Sequence, residues 1–162
     1  MEAAKNLNTL QLLTFTLDDE IFAVEIGKVR EVLEFKGATK VPRVPGFMRG
    51  VINLRGNVVP VIDLKMKFGM GATGQSVSTC VIITEVGVDG ESVVLGALAD
   101  AVQEVVDLEE SQIEPAPRIG SRLDTAFIKA MGKHNDNFII LLDIDRIFLA
   151  EEVKKLAESA GI

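Results

Sequence analysis

The chain has 162 residues, the size of one domain or of two very small ones. Its net charge of −7 disfavours nucleic acid and anionic membrane surfaces as partners, since both are themselves negatively charged. A single Cys excludes an intrachain disulfide. No signal-peptide pattern and no bilayer-length apolar stretch is present, which predicts a cytoplasmic protein without direct membrane insertion.

Residues 1–9 are polar and aperiodic, and we expect them to be disordered. Alternating apolar residues then predict two hairpins, over Leu13–Leu17, Ile21–Ile26, Val51–Leu54 and Val58–Ile62. A short strand over Val29–Leu33 separates the hairpins, and Arg55-Gly56-Asn57 forms the turn of the second hairpin. Pro60 has no N–H to donate, so its strand is expected at a sheet edge or with a bulge there.

One amphipathic helical turn is predicted over Leu64–Phe68. The segment Gly69–Gly74 matches the letters G-x-G-x-x-G, but it lacks the strand before and the helix after that a phosphate site requires, so it predicts a flexible linker. Further β-rich runs follow at Cys80–Val86, Ser92–Val106, Phe127–Met131 and Phe138–Ile144. Helical spacing from about Asp145 predicts a C-terminal helix and tail over 145–162.

The two series of strands match each other. A spacing of 80 residues pairs Phe47 with Phe127, Asn57 with Asn137, Asp63 with Asp143 and Phe68 with Phe148. A spacing of 73 pairs Val29 with Val102, Glu31 with Glu104 and Val32 with Val105. This predicts an internal duplication within one domain over 10–153, with a barrel at roughly 10–68 and a second at roughly 77–148. Strand exchange between the barrels stays open, and a sandwich is the alternative.

No residue pattern indicates catalysis or a metal site. The chain has one His, His134 in a polar hairpin tip, and one Cys, Cys80 in an apolar strand, so paired ligand spacing is missing. The carboxylate runs are typical of solvated faces and turns. The chain is therefore predicted to be a binding module that is not an enzyme and has no cofactor. Small-ligand binding and hydrolysis by scattered carboxylates are the weaker alternatives.

The duplication breaks at one hairpin tip. The first copy has Asn53-Leu54-Arg55-Gly56, whereas the second has Lys133-His134-Asn135-Asp136. An arginine there is either an ordinary exposed turn residue or an anchor for a partner, since its planar guanidinium binds carboxylates with two hydrogen bonds. Glu31 is the expected charge partner of Arg55 within the first copy.

The motifs resemble those of one known family. Gly50-Val51-Ile52-Asn53-Leu54-Arg55-Gly56, followed by Pro60-Val61-Ile62-Asp63-Leu64, is the most specific of them. Further matching motifs are Phe15-Thr16-Leu17, Phe22-Ala23-Val24, Val29-Arg30-Glu31-Val32, Val41-Pro42, Pro45-Gly46-Phe47, and Gly96 with Asp100 and Val102-Gln103-Glu104-Val105. From about Leu12 to Val153 the chain resembles the CheW family.

The resemblance implies two five-stranded SH3-like barrels and a non-enzymatic adaptor. It would couple the cytoplasmic tip helices of chemoreceptors to the regulatory domain of the histidine kinase CheA. The pathway is expected to be chemotaxis, with a non-flagellar chemosensory pathway as the alternative. The adaptor would be recruited to receptor arrays at the inner face of the membrane, with weak or no self-association.

The resemblance also implies site residues. Receptor-binding residues would line a groove between the barrels, with Val29, Glu31, Arg55 and Val58 on the first barrel and Cys80, Val81 and Gly96 on the second. Kinase-binding residues would lie on the first barrel at Ala38, Thr39, Lys40, Val41 and Val44.

Overall fold

The computed structural model describes residues 9–88, 90–115 and 127–147. Eleven strands lie within these ranges: β1 Thr9–Leu17, β2 Glu20–Glu25, β3 Val29–Glu34, β4 Met48–Leu54, β5 Asn57–Asp63, β6 Cys80–Val88, β7 Glu91–Ala99, β8 Ala101–Glu109, β9 Ile113–Glu114, β10 Ile128–His134 and β11 Asn137–Leu142. Helical segments are short: α1 Leu64–Lys67 and two 3₁₀ turns, Ile26–Lys28 and Glu110–Gln112. In the described ranges, no helix has the length and apolar character to cross a membrane.

The strands form two sheets, which confirms the predicted mainly β fold, although one sheet has six strands where five were expected in each barrel. The five-stranded sheet, barrel 1, has the order β3-β6-β7-β5-β4, and the six-stranded sheet, barrel 2, has the order β8-β1-β2-β11-β10-β9. The predicted C-terminal helix lies outside the described residues except for 145–147, which form a turn and a bend. Of the predicted disordered residues 1–9, only Thr9 is described, and it starts β1.

Each barrel takes a hairpin from the other half of the chain. Barrel 1 combines β3, β4 and β5 with the hairpin β6–β7, whereas barrel 2 combines β8 to β11 with the N-terminal hairpin β1–β2. The borrowed hairpins pair in the same way: β7 runs parallel to β5, and β2 runs parallel to β11. The sheets therefore do not follow the sequence halves 10–68 and 77–148, because strands are exchanged between those halves.

Three apolar clusters fill the molecule. One lies inside barrel 1 around Val61, Val81 and Leu98, and a second lies inside barrel 2 around Leu12 and Leu141. The third and largest cluster joins the two sheets, with fully buried members from both. It includes Phe15 and Phe22 from barrel 2 and Ile62 and Ile82 from barrel 1. Burial of this shared cluster is the main term that holds the barrels together.

Two ion-pair groups add polar connections between the sheets. Lys65 in α1 places Nζ 2.5 Å from Asp18 Oδ1, in the β1–β2 turn, and 3.4 Å from Asp100 Oδ2. Lys28 Nζ donates to Asp145 Oδ2 at 2.7 Å, and Asp145 Oδ1 accepts from the Gly87 backbone N–H at 2.8 Å. In each group, one partner is on or next to a strand of barrel 1 and another is on or next to a strand of barrel 2. Both groups therefore help fix the orientation of one barrel against the other.

The expectation for the strand that contains Pro60 needs correction. Pro60 lies on β5, which is between β4 and β7, and not at an edge, and the bulge of this pairing is on β4 between Met48 and Gly50. Val51, the partner of Pro60, exchanges its hydrogen bonds with Thr39 on the other side of β4. The proline therefore removes no hydrogen bond between β4 and β5.

The predicted β-rich run Ser92–Val106 contains parts of two strands, β7 and β8. It breaks at Asp100, whose backbone N–H donates to Thr16 O at 3.0 Å and whose carboxylate accepts from the Asp18 N–H at 2.6 Å. β7 belongs to barrel 1 and β8 to barrel 2, so the chain passes from one sheet to the other at this residue.

The Gly-rich segment after α1 is held at Thr73. This residue is 2% exposed, its hydroxyl donates to Asp63 Oδ1 at 2.7 Å, and its backbone N–H donates to Asp63 Oδ2 at 2.8 Å. Asp63 also caps α1 by accepting from the Met66 N–H, and Arg49 donates to Thr73 O at 2.7 Å. The expectation of a freely flexible linker is therefore wrong at Thr73, because a buried carboxylate with several donors anchors it.

Candidate functional site

An exposed ion pair joins the two edge strands of barrel 1. Arg55 Nη1 donates to Glu31 Oε2 at 2.7 Å, and Arg55 Nη2 donates to Glu31 Oε1 at 2.9 Å. Glu31 is on β3 and Arg55 follows β4, the strands at opposite ends of the sheet order. The Arg55 side chain is 70% exposed and that of Glu31 is 27% exposed. The predicted pairing of these residues is present, and it presents a fixed guanidinium at the surface.

The turn that carries Arg55 explains its position. Arg55 and Gly56 have φ values of 52° and 86°, so both central residues of this two-residue hairpin loop are left-handed. Such loops favour Asn and Gly, and a left-handed arginine is uncommon. The Asn53 side chain accepts from the Gly56 N–H at 2.9 Å and stabilises the turn. Backbone strain at an exposed arginine is a signal of function that the sequence alone does not show.

Each residue of the pair shifts the pKa of the other. The hydrogen bonds from Arg55 lower the pKa of Glu31, and the hydrogen bonds to Glu31 raise the pKa of Arg55. Both groups are therefore charged throughout the physiological range. Because the pair is exposed, water screens it, and its contribution to folding stability is small. Its structural effect is to orient the guanidinium.

A groove lies between the two edge strands beside this pair. It has a volume of about 560 Å³, is open to solvent, and is lined by the end of β3, the segment that follows it, and β4. At one point the walls meet, because Thr39 and Val51 exchange backbone hydrogen bonds of 2.9 and 2.8 Å. Gly50 permits this contact: a Cβ there would lie 2.3 Å from Thr39 O, and its φ is +150°.

Two further residues of the predicted receptor-binding set lie near the ion pair, one on β3 with Glu31 and one on β5, just after the Arg55 turn. Val29 begins β3 and is half-buried against the shared apolar cluster. Val58, on β5, is 39% exposed and is opposite Asn53 in the β4–β5 hairpin. An exposed valine therefore lies close in register to the Arg55 turn.

The remaining predicted receptor-binding residues are not on a second barrel. Cys80 and Val81 are on β6 and Gly96 is on β7, both in barrel 1, because the hairpin β6–β7 is exchanged into that sheet. Cys80 is half-buried and is opposite Glu34 of β3. Val81 is 1% exposed, and a Cβ at Gly96 would lie 2.6 Å from Val81 Cγ1. Val81 and Gly96 therefore pack inside the barrel and support the surface from below.

The predicted kinase-binding segment, from Ala38 to Val44, borders the same groove. Ala38 and Thr39 line it, and Lys40 next to them is exposed. Val41 and Val44 are half-buried and pack against the shared apolar cluster. The structure thus brings the two predicted residue sets onto adjoining parts of barrel 1.

Sequence reasoning missed the supporting network behind this surface. Asp63 is 1% exposed and binds Thr73, and Arg49 lies 3.4 Å from Asp63 and over the Phe35 ring. The signal in the sequence was the aspartate that follows the apolar run of β5. In the described ranges, no group of three or more His, Cys, Asp and Glu could hold a metal ion.

Comparison with known proteins gives a consistent result. The model of the CheW-like domain matches residues 11–152. The chemotaxis protein CheW of Klebsiella aerogenes is 34% identical over 143 residues, 88% of this chain and 84% of that protein. CheW of Rhizobium meliloti is 34% identical over 152 residues, 93% of this chain and 96% of that protein.

A solved structure agrees in fold. The crystal structure of the scaffolding protein TtCheW from Thermoanaerobacter tengcongensis superposes with a TM-score of 0.78 at 37% identity, covering 88% of this chain and 94% of that one. The family model, over residues 11–152, includes strands of both barrels, among them β3 with Glu31 and the β4–β5 hairpin with Arg55. The chain therefore belongs to the CheW-like domain family.

Proposed function

We propose that this protein is an adaptor that couples the cytoplasmic tip helices of chemoreceptors to the regulatory domain of the histidine kinase CheA. Its relatives are named as chemotaxis proteins and one as a scaffolding protein, which supports a role in assembly. The observation that carries the proposal is the exposed Glu31–Arg55 pair at the edge of barrel 1. Binding needs no cofactor and no catalytic step.

The receptor contact is assigned to the ion pair and the apolar residues next to it. A helical hairpin would place apolar side chains against Val29 and Val58 and a polar group on Arg55, the usual pattern of a helix bound in a groove. Glu31 holds the guanidinium in one orientation, so less side-chain entropy is lost on binding. The neighbouring groove, lined by the end of β3, the segment after it and β4, is open rather than enclosed, which favours a protein segment over a small ligand.

The kinase contact is assigned to the segment from Ala38 to Val44. Thr39 and Lys40 are among its exposed residues and are available to a partner, and the hydrogen bonds between Thr39 and Val51 fix its position. Adjoining receptor and kinase surfaces on one rigid barrel would let the adaptor hold both partners at once. Recruitment to arrays at the inner face of the membrane would follow from receptor binding, and many weak contacts would gain strength by repetition.

Co-sedimentation with receptor-bearing membranes, with and without the kinase, tests this function. We expect the wild-type protein to sediment with the receptors and to increase the amount of kinase in the pellet. Arg55→Ala should abolish both effects. Arg146→Ala is the matched control, since Arg146 is 74% exposed and is 3.5 Å from Asp143 in a similar surface pair. The proposal is wrong if the wild-type protein binds neither partner at protein concentrations of hundreds of micromolar.

A further inference from the structure

Barrel 2 has a small cavity at the position that corresponds to the ion pair of barrel 1. Its volume is about 160 Å³, and we call it the barrel 2 mouth. Six of the residues that line it matter here, namely Thr14, Ile21, Glu104, His134, Asn135 and Ile139. Glu104 corresponds to Glu31 in the duplication, and both are on edge strands, β8 and β3.

The two hairpin turns also correspond in backbone geometry. Asn135 and Asp136 have φ values of 49° and 64°, close to the left-handed values of Arg55 and Gly56. The side chains differ, because barrel 1 places a guanidinium at the first turn position and barrel 2 places an amide there. The same backbone thus supplies a cation to one glutamate and no cation to the other.

Glu104 is correspondingly open. Its side chain is 63% exposed, compared with 27% for Glu31. Among the described residues its one ion-pair contact is with His134 Nε2 at 3.9 Å, and that contact carries charge only if the histidine is protonated. The carboxylate of barrel 2 therefore lacks the two-hydrogen-bond partner that its counterpart has.

The backbone of Glu104 is nevertheless firmly held. Its N–H donates to Thr14 Oγ1 at 3.1 Å, and the Thr14 hydroxyl donates to Glu104 O at 2.7 Å. Ile139, 2% exposed, belongs to the apolar cluster inside barrel 2, and the partly buried Ile21 packs against it. A mouth with an apolar base and a carboxylate at its rim suits a side chain with an aliphatic stem and a planar cationic head.

We propose that the barrel 2 mouth receives an arginine side chain from a protein partner, in the position that barrel 1 fills with its own Arg55. The occupant is an arginine because the mouth offers a carboxylate and an amide to a guanidinium, and apolar contacts to its stem. The net charge of −7 favours a cationic partner.

The mouth can be tested directly with N-acetyl-arginine amide, added to the full chain and followed by backbone amide NMR. We expect saturable shifts at Glu104, Asn135 and their neighbours at millimolar ligand. Glu104→Gln should weaken this binding about tenfold, since a charge-assisted pair is lost. Asn135→Arg should block it by filling the mouth from within, and Arg55 shows that an arginine is accepted at this turn position. Asp107→Asn, on the exposed side of β8, should have no effect.

The identity of the partner is tested by measuring the affinity of each variant for a receptor tip and for the kinase regulatory domain. This second experiment rests on the proposed adaptor function. Glu104→Gln and Asn135→Arg should each weaken binding of one of these proteins by about fivefold or more, with Asp107→Asn unchanged. Absence of saturable binding of the arginine amide overturns the proposal whether or not the adaptor function holds. Amide binding without an effect on either protein overturns the assignment to a protein partner and indicates a free guanidinium ligand instead. If the wild-type protein binds neither partner, the adaptor function fails, and with it the partner assignment, while the amide titration still decides what the mouth binds.

Discussion

Glu31 and Arg55 are joined by two hydrogen bonds of 2.7 and 2.9 Å that connect the two edge strands of one barrel across its open side. Neither residue is buried, and the turn under Arg55 has a backbone conformation that arginine seldom adopts. The geometry thus favours a surface role over a stabilising one, and this distinction can be measured.

Arg55→Asn separates function from stability. Asparagine suits a left-handed turn position better than arginine, so the free energy of unfolding should stay within about 0.5 kcal/mol of wild type or rise slightly. Receptor co-sedimentation should fall to background, because the oriented guanidinium is gone. Chemical denaturation measures the free energy of unfolding, and the membrane assay measures receptor co-sedimentation. A loss of several kcal/mol would show instead that Arg55 is a structural residue.

Asp63→Ala should destabilise the protein by about 2–4 kcal/mol, because it leaves the buried Thr73 N–H and hydroxyl without their acceptor. The duplication provides the control. Asp143 is the corresponding residue of the second half, its side chain is 27% exposed, and its ion pair is with the exposed Arg146. Asp143→Ala should cost less than about 1 kcal/mol. Equal losses for the two variants, measured by urea denaturation, would contradict a special role for the Asp63 network.

The Lys28–Asp145 pair predicts a pH dependence. Burial alone would raise the pKa of Asp145, but the hydrogen bonds from Lys28 and from the Gly87 N–H together lower it below its ordinary value of 3.8. The hydrogen bond to Asp145 raises the pKa of Lys28 above its ordinary value of 10.5, although burial opposes this. The stability from Asp145 is therefore complete above its ordinary pKa and is lost as the pH falls through the lowered value. That from Lys28 is lost only as the pH rises above 10.5.

Asp145→Asn tests this dependence. The variant should be less stable than wild type at pH 7 by less than about 1 kcal/mol, since both side chains are about one-third exposed. The difference should shrink as the pH falls below 4 and the wild-type carboxylate becomes protonated. Free energies of unfolding at several pH values measure it. A difference that is constant from pH 7 to pH 2 would exclude a contribution from the ionised pair.

Gly50→Ala should disrupt the predicted kinase-binding segment from Ala38 to Val44. The added Cβ would overlap Thr39 O, and the backbone at φ +150° disfavours a side chain, so we expect a loss of about 2–4 kcal/mol. Kinase binding should weaken in the molecules that remain folded, because Thr39 can no longer pair with Val51. Gly27→Ala is the control, since nothing lies within 4 Å of its added Cβ. Unchanged kinase affinity in folded Gly50→Ala protein would argue against this segment as the contact.

The local sequence pattern was sufficient to predict most strands, but not to predict which strands pair with each other. The alternating residues around Phe15, Phe22 and Val59 predicted the hairpins because a half-buried strand requires that alternation. Whether a hairpin joins its own half or the other half leaves no trace in such a pattern, since either sheet buries the same face. For this reason Cys80, Val81 and Gly96 were expected on a second barrel and belong to the first.

The candidate site was predicted in part, for a related reason. The Glu31–Arg55 pair followed from charge and from the break in the duplication, both visible in the sequence. The burial of Val81 and the close packing at Gly96 depend on which way each residue of the exchanged hairpin faces, and only the sheet register defines that. The anchoring of Thr73 by Asp63 was hidden within a glycine-rich segment whose composition is typical of linkers.

The exchange of hairpins has a consequence for biosynthesis. Thr14 of β1 contacts Glu104 of β8, which is 90 residues later in the chain. On the ribosome, the first hairpin therefore cannot pair with its sheet until β8 and β11 have been synthesised. Contacts so distant in sequence slow folding and leave strand edges exposed in the meantime. Until then the apolar face of this hairpin is open to aggregation.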